Sequence, residues 1–165
     1  MLSIPASRPL DPSAWEIIRA VTGAAGDRGV GYMIIGAMAR DIVMQHVYDI
    51  PSGRRTRDVD FAVAVDSWDS FETLKQALVA LGDFSIDNVA IHRLYYRQTE
   101  LGRGYPLDLI PFGAIETAGH QLAWPPDMKV LMSVAGYAEA QQAALLVALG
   151  GGLTARVVSI PALAF

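Results

Sequence analysis

Apolar positions along this chain change their period several times, and each change marks an element. After Asp11-Pro12-Ser13, the residues Trp15, Ile18, Val21 and Ala25 recur at helical spacing. Pro12 suits a first helical turn, and Ser13 with Glu16 predicts a capping box. The glycines on either side of Asp27 predict the helix end. Tyr32 to Ile35 is a continuous apolar run bounded by Gly31 and Gly36, the pattern of a strand buried on both faces. A second helix is predicted from about Ala37 to Val47, with Ala39, Ile42, Val43 and His46 on one side.

From Asp58 to Val65 the period falls to two. Val59, Phe61, Val63 and Val65 alternate with Asp58, Asp60, Ala62 and Ala64, so one face is apolar and the other carries carboxylates, then alanines. Asp66-Ser67 can cap a third helix striped by Phe71, Leu74, Leu78 and Leu81 and closed by Gly82. Ile91–Gln98 and Tyr105–Phe112 read as a hairpin, with Gly102-Arg103-Gly104 in its connection. Pro125-Pro126 breaks the chain. Beyond it the pattern leaves two readings open: a hairpin of Ala143–Leu149 with Thr154–Ile160 around Gly150-Gly151-Gly152, or an amphipathic helix over Tyr137–Leu149. Together these elements predict one α/β (α+β) domain over residues 1–165, a mixed, mostly antiparallel sheet flanked by helices.

Composition narrows the classes. The chain has 165 residues, 52% of them hydrophobic and 18% charged, enough for a sizeable core and unlike a disordered chain. The net charge of −4 argues against a chain-wide basic surface, although 11 of the 13 cations are Arg and a local patch is open. No cysteine is present, which removes disulfides, Cys-ligated zinc and a Cys nucleophile. The start of the chain lacks a secretory pattern, and the uncharged stretch Ala140–Ala155 is too short to span a bilayer. A cytoplasmic protein with no membrane partner is expected.

The candidate chemistry lies in three carboxylates. Asp58 and Asp60 share one face of a predicted strand. Asp108 sits between Leu107 and Leu109 in another, where a charge is costly unless it is paired or ligates a cation. A salt bridge to Arg93 or Arg97 is the plain alternative for Asp108. Three converging carboxylates raise one another's pKa, and a hard divalent cation removes that penalty. At the strand-to-helix junction, Gly36-Ala37 permits a tight turn and offers backbone N–H groups to an anion. Arg54, Arg55 and Arg57 precede the carboxylate strand and suit triphosphate or RNA contact, or a solvated loop. Arg40 suits phosphate or a partner near Asp41. His46, His92 and His120 show no metal spacing and read as surface or packing residues, and Trp15, Trp68 and Trp124 as core.

The order of apolar strand, Gly36-Ala37, helix, Thr56-Arg57-Asp58-Val59-Asp60-Phe61 and Leu107-Asp108-Leu109 resembles the DNA polymerase β-type nucleotidyltransferase superfamily. Within it, Gly36-Ala37-Met38-Ala39-Arg40-Asp41 and Arg55-Thr56-Arg57-Asp58-Val59-Asp60 are similar to bacterial nucleotidyltransferases related to AbiEii-type toxins, and the first segment also to the turn of CCA-adding enzymes. The resemblance covers about Tyr32 to Phe112. It implies that Asp58, Asp60 and Asp108 are catalytic and bind Mg²⁺ or Mn²⁺. It also implies that Asp108 favours deprotonation of the acceptor hydroxyl, and that Gly36 and Ala37, with Arg40 and Arg57, contact an NTP. Ala37 stands where the superfamily often carries Ser or Gly, which removes a hydroxyl from the phosphate site. Relatives usually continue into Lys- and Arg-rich helices beyond a segment like Ser159-Ile160-Pro161, so the domain is expected to lack them.

The implied activity is transfer of a nucleoside monophosphate to an RNA (tRNA) or protein hydroxyl, as in a toxin–antitoxin toxin. A non-catalytic nucleotide- or partner-binding module on the same fold is the alternative, and a transferase acting on a small molecule such as an aminoglycoside is a third. The apolar end Pro161–Phe165 is expected to bury Leu163 and Phe165 in the core or in a homodimer interface.

Overall fold

The structure is a computed structural model that describes residues 1–53, 56–97 and 102–164, with the side chains of 163 and 164 excepted. Arg54, Arg55, Gln98, Phe165 and the Leu163 side chain, which carry some of the expectations above, lie outside the described residues. In chain order the elements are β1 (Leu2–Ser3), α1 (Pro12–Asp27), β2 (Gly31–Ile35), α2 (Gly36–Asp41), β3 (Val59–Ala64), α3 (Trp68–Ala80), β4 (Phe84–Ile86), β5 (Arg93–Tyr96), β6 (Tyr105–Phe112), β7 (Gln121–Trp124), β8 (Val130–Ser133), α4 (Tyr137–Gln142), β9 (Leu145–Ala148) and β10 (Thr154–Val157). Past Asp41, α2 continues as a wider π-helical segment, Ile42–Val47, and a 3₁₀ turn covers Ile160–Ala164. Among the described residues, no helix is long and apolar enough to cross a membrane.

Eight strands form one mixed sheet in the order β1-β9-β10-β2-β3-β6-β5-β4. Antiparallel pairs outnumber parallel ones, and the central β3–β6 pair is parallel. The period-two pattern of β3 decides how it sits. Val59, Phe61 and Val63 are fully buried on one face, against which α1 brings Ile17, Ile18 and Val21. Burying each such side chain contributes about 1.5–3 kcal/mol. On the opposite face the small Ala62 and Ala64 leave the far end of the strands to Phe112 and Tyr137, whose rings meet at 5.8 Å. The near end of that face carries Asp58 and Asp60.

Several expectations are corrected. The cap of α1 is Asp11, whose carboxylate accepts from the N–H groups of Ser13 and Ala14 at 3.0 and 3.2 Å. Pro12 starts the helix, so Ser13 already lies inside it, and Glu16 pairs with Arg19 instead of closing a capping box. The end of the helix agrees with the expectation: its last residue is Asp27, between Gly26 and Gly29, and Gly29 takes φ +63°. Leu81, read as part of the α3 stripe, is exposed because it follows the last turn. The strand read as Ile91–Gln98 begins only at Arg93. The hairpin of β7 and β8 around Pro125-Pro126 was not legible, since its outer strand exposes Val130 and Leu131 and carries no alternation.

The two open readings of the C-terminal region both hold in part: α4 ends at Gln142, and β9–β10 form the hairpin. Its turn is fixed at Gly151, where a Cβ would come within 2.8 Å of the Trp15 ring, while Trp15 Nε1 donates to the Gly150 carbonyl at 3.1 Å. Asp11→Ala is expected to lower unfolding free energy by about 1 kcal/mol and Ser13→Ala by less than about 0.5 kcal/mol, measured by urea denaturation.

Candidate active site

A single row across the sheet assembles the site. In register, Ile35 of β2 faces Asp60 of β3, Asp60 faces Asp108 of β6, and Asp108 faces Arg93 of β5. Asp58 lies one pleat away on the same face as Asp60. One carboxylate oxygen from each of Asp58, Asp60 and Asp108 lies within 4.8 Å of the other two, so the structure brings the three together. Two full charges at this spacing repel by roughly 3 kcal/mol at an effective dielectric constant of about 20. The consequence falls on Asp60. Burial first, then the charges of Asp58 and Asp108, push its pKa up to about 7, against a smaller opposing pull from Arg93.

Gly36 closes one wall. It takes φ +69°, and a Cβ there would lie 2.5 Å from Asp60 Oδ2. A side chain here would be strained by the left-handed turn and would push the Asp60 carboxylate aside. Ala37 follows it in the first turn of α2, half-buried. On the other side, Arg93 grips Asp108 with both arms of its fork, Nε to Oδ1 at 2.7 Å and Nη2 to Oδ2 at 2.9 Å. The two readings of Asp108 therefore coincide: it stands in the triad and it is salt-bridged.

Arg40 does not project from the helix toward open space. Its Nε and Nη2 both bond Oδ1 of Asp41, at 3.1 and 3.0 Å. Asp41 is buried, and its other oxygen accepts from the Thr56 hydroxyl. This chain of contacts ties α2 to the segment entering β3, and so fixes where Asp58 and Asp60 begin. Asp41 had no assigned role in the sequence reading; the signal for it was a carboxylate among the apolar positions Ala39, Ile42 and Val43. Arg57 is exposed and lines a cleft of about 970 Å³ that opens beside Asp58 and Arg93 and also borders Thr56 and Tyr105. Burial foremost, then the nearby Asp11, Asp58 and Asp41, push the Tyr105 hydroxyl up to about 12.

His92 is a second omission. Read as a surface or packing residue, it sits with Nε2 3.9 Å from Asp108 Oδ1 and its ring 5.9 Å from Trp124. Trp124 in turn packs on Trp68 at 5.1 Å, in keeping with the core reading of both. The loop that delivers His92 and Arg93 is pinned by Asp87. Its carboxylate is held down at about 2 by the N–H groups of Ala90 and Val89 and then by the Tyr95 hydroxyl.

No family model and no curated protein matches the chain. Solved structures do. The nucleotidyltransferase-like antigenic protein from Paracoccidioides brasiliensis superposes with a TM-score of 0.53 at 15% identity, covering 92% of this chain and 63% of that one. The fold is that of the nucleotidyltransferases. ANT(2")-Ia in complex with adenylyl-2"-tobramycin matches at 20% identity over 89% of this chain and 70% of its own, with a TM-score of 0.48. The Thermotoga maritima CCA-adding enzyme complexed with tRNA matches at 14% identity over 64% of this chain, with a TM-score of 0.41. The chain spans only 22% of that enzyme's length.

Two predictions follow from the Asp60 environment. Because the folded state raises the Asp60 pKa from 3.8 to about 7, it binds the proton more tightly than the unfolded chain. The metal-free protein therefore loses this contribution as pH rises through that window. Asp60→Asn is expected to flatten the decline and to melt higher than the wild type at pH 8, measured as Tm against pH without divalent ions. Gly36→Ala is expected to lower Tm and shift the Asp60 titration, read by NMR of the carboxyl group.

Proposed function

We propose that this chain is a metal-dependent nucleotidyltransferase that moves a nucleoside monophosphate from an NTP to a hydroxyl of RNA, tRNA among them, or of a protein, releasing pyrophosphate. One observation carries the reading. Carboxylates from two adjacent strands meet beside a left-handed glycine turn where a Cβ would strike Asp60. The donor set fits a hard divalent cation, Mg²⁺ or Mn²⁺: it is all oxygen, crowded with negative charge, and includes one partly buried carboxylate that lacks a counter-ion of its own. Asp58 and Asp60, with Asp108 beside them, would hold it. Such an ion supplies positive charge against a triphosphate and acidifies a nearby hydroxyl.

The chain's own groups have distinct tasks in this reading. The backbone N–H groups of Gly36 and Ala37 receive the phosphates, without a side-chain hydroxyl at position 37. Arg57, at the rim of the cleft, adds a charge that a phosphate or an RNA backbone can meet. Arg40 acts indirectly, by holding Asp41. A role as a toxin of the AbiEii kind rests on the segments Gly36–Asp41 and Arg55–Asp60. A cytoplasmic setting is part of the same proposal. A single nucleotidyltransferase domain over residues 1–165 and a homodimer formed through the apolar Pro161–Phe165 complete the proposal; solution mass with and without residues 163–165 tests the dimer.

A second reading, a nucleotide- or partner-binding module without turnover, is favoured by the fork of Arg93 on Asp108 and by Ala37. Incubating the protein with each labelled NTP, Mg²⁺ and either total tRNA or a protein lysate separates the two. Transfer of label, lost by about a hundredfold or more in Asp58→Asn and Asp60→Asn, is the expected result. Mg²⁺-dependent ATP binding without transfer supports the module. Absence of both refutes the two together.

A further inference from the structure

Next to the cleft at Asp58 the molecule has a second hollow. It lies between α1 and α3, holds about 590 Å³, and is floored by Ala24, Phe84 and Tyr96, all buried. Two features join it to the cleft of about 970 Å³. First, α1 walls both: its cap and first turn, Leu10 to Ala14, border the cleft, and Glu16 to Arg28 border the hollow. Second, Tyr96 and Arg97 line both. Arg97, just past β5, takes φ +52° and lies over the Tyr96 ring at 5.1 Å. Its side chain is 67% exposed and touches Asp83 only loosely, at 3.7 Å. Cleft and hollow therefore form one trough along α1. The 16 residues of that helix rise about 24 Å, the span of roughly seven extended peptide residues.

The charge along the trough bears on its occupant. Among the described residues, six carboxylates and five guanidiniums line it, with Arg97 counted once. Arg93 is already held by Asp108, and Arg19 by Glu16 at 2.6 Å. An RNA strand carries a negative charge on every residue and is held by an excess of Lys and Arg, which this lining does not offer. A polypeptide has a neutral backbone and side chains of both signs, and a lining of alternating sign complements it.

We propose that the acceptor is a polypeptide lying along α1. Its Ser, Thr or Tyr hydroxyl reaches the cleft beside Asp58, and the residues flanking that hydroxyl cross Arg97 into the hollow between α1 and α3. The inference rests on the nucleotidyl-transfer reading above and chooses among its acceptors. In the step, the hydroxyl oxygen bonds to the α-phosphorus of the NTP. The bond from that phosphorus to the bridging oxygen breaks, and pyrophosphate leaves with the electron pair. The hydroxyl proton passes to a carboxylate of the row, and the product is a nucleoside monophosphate ester of the side chain.

The test incubates the full chain with Mg²⁺ and NTPs labelled on the α-phosphate. The acceptors are total tRNA and pooled random-sequence peptides of about five and about fifteen residues, shorter and longer than the trough, each with one central Ser, Thr or Tyr. Label is expected on the peptides, and at least about tenfold faster on the long ones, because binding along the trough is available only to them. Gly23→Trp fills the hollow from α1, where an added Cβ meets nothing within 4 Å. It should slow labelling of the long peptides about tenfold and leave the short ones unchanged. If it does not fold, as judged by far-ultraviolet circular dichroism, Ala80→Trp enters the same hollow from α3 and replaces it.

Label on tRNA and not on peptides would overturn the inference and leave the nucleotidyl-transfer reading standing. Equal rates on short and long peptides, or a filled hollow without effect, would overturn it too. Label on neither acceptor would overturn both.

Discussion

Repulsion among three carboxylates crowded on one face of the central strands is the constraint around which this molecule is arranged. Water would disperse such charges; the pairing of β3 with β6 forces them together, because Asp60 and Asp108 are direct register partners. The surroundings answer that repulsion unequally. Arg93 takes Asp108, and Asp58 stays open to the cleft. Asp60, pressed between its neighbours and Gly36, bears the repulsion, and burial with the charges of Asp58 and Asp108 pushes its pKa up to about 7. A site prepared in this way stores an electrostatic penalty that a cation relieves.

The rest of the fold holds that row in place. The apolar face of β3 is locked into the core by Phe61 and its neighbours, so the carboxylate face cannot rotate without exposing them. Buried Asp41 joins the helix after Gly36 to Thr56 at the mouth of β3, with Arg40 completing the network. Asp87 anchors the loop that brings Arg93 to Asp108. Each of these groups removes a degree of freedom from the carboxylate row.

Much of this was legible in the sequence, for reasons specific to each element. The alternation from Val59 to Ala64 defined a strand and put Asp58 and Asp60 on one face, since side-chain direction in a strand follows parity. Gly31 and Gly36 bounded the apolar run of β2, and Ser67 marked the start of α3, where it accepts from Ser70 N–H. Elements whose burial does not follow a simple period were missed or left open between readings. The β7–β8 hairpin exposes one strand, and the region from Tyr137 to Leu149 divides between a short helix and β9, which pairs with β1 and β10. The cap of α1 moved from Ser13 to Asp11 because Pro12 took the first helical position.

By itself the sequence determined which residue types share a face and which turns require glycine, because local backbone geometry follows from near neighbours. It could supply Asp58, Asp60, Asp108 and Gly36 as candidates, but not their distances. Which partner each finds was decided by strand order and register, which are set by contacts between residues far apart in the chain. Arg93 and Arg97 were equal candidates for Asp108 until β5 paired with β6 and placed Arg93 opposite it, while Arg97 fell beyond the strand, beside Asp83. His92 and Asp41 acquired neighbours in the same way, since a charged side chain's surroundings depend on the strands and helices that fold against it and not on the residues beside it in sequence.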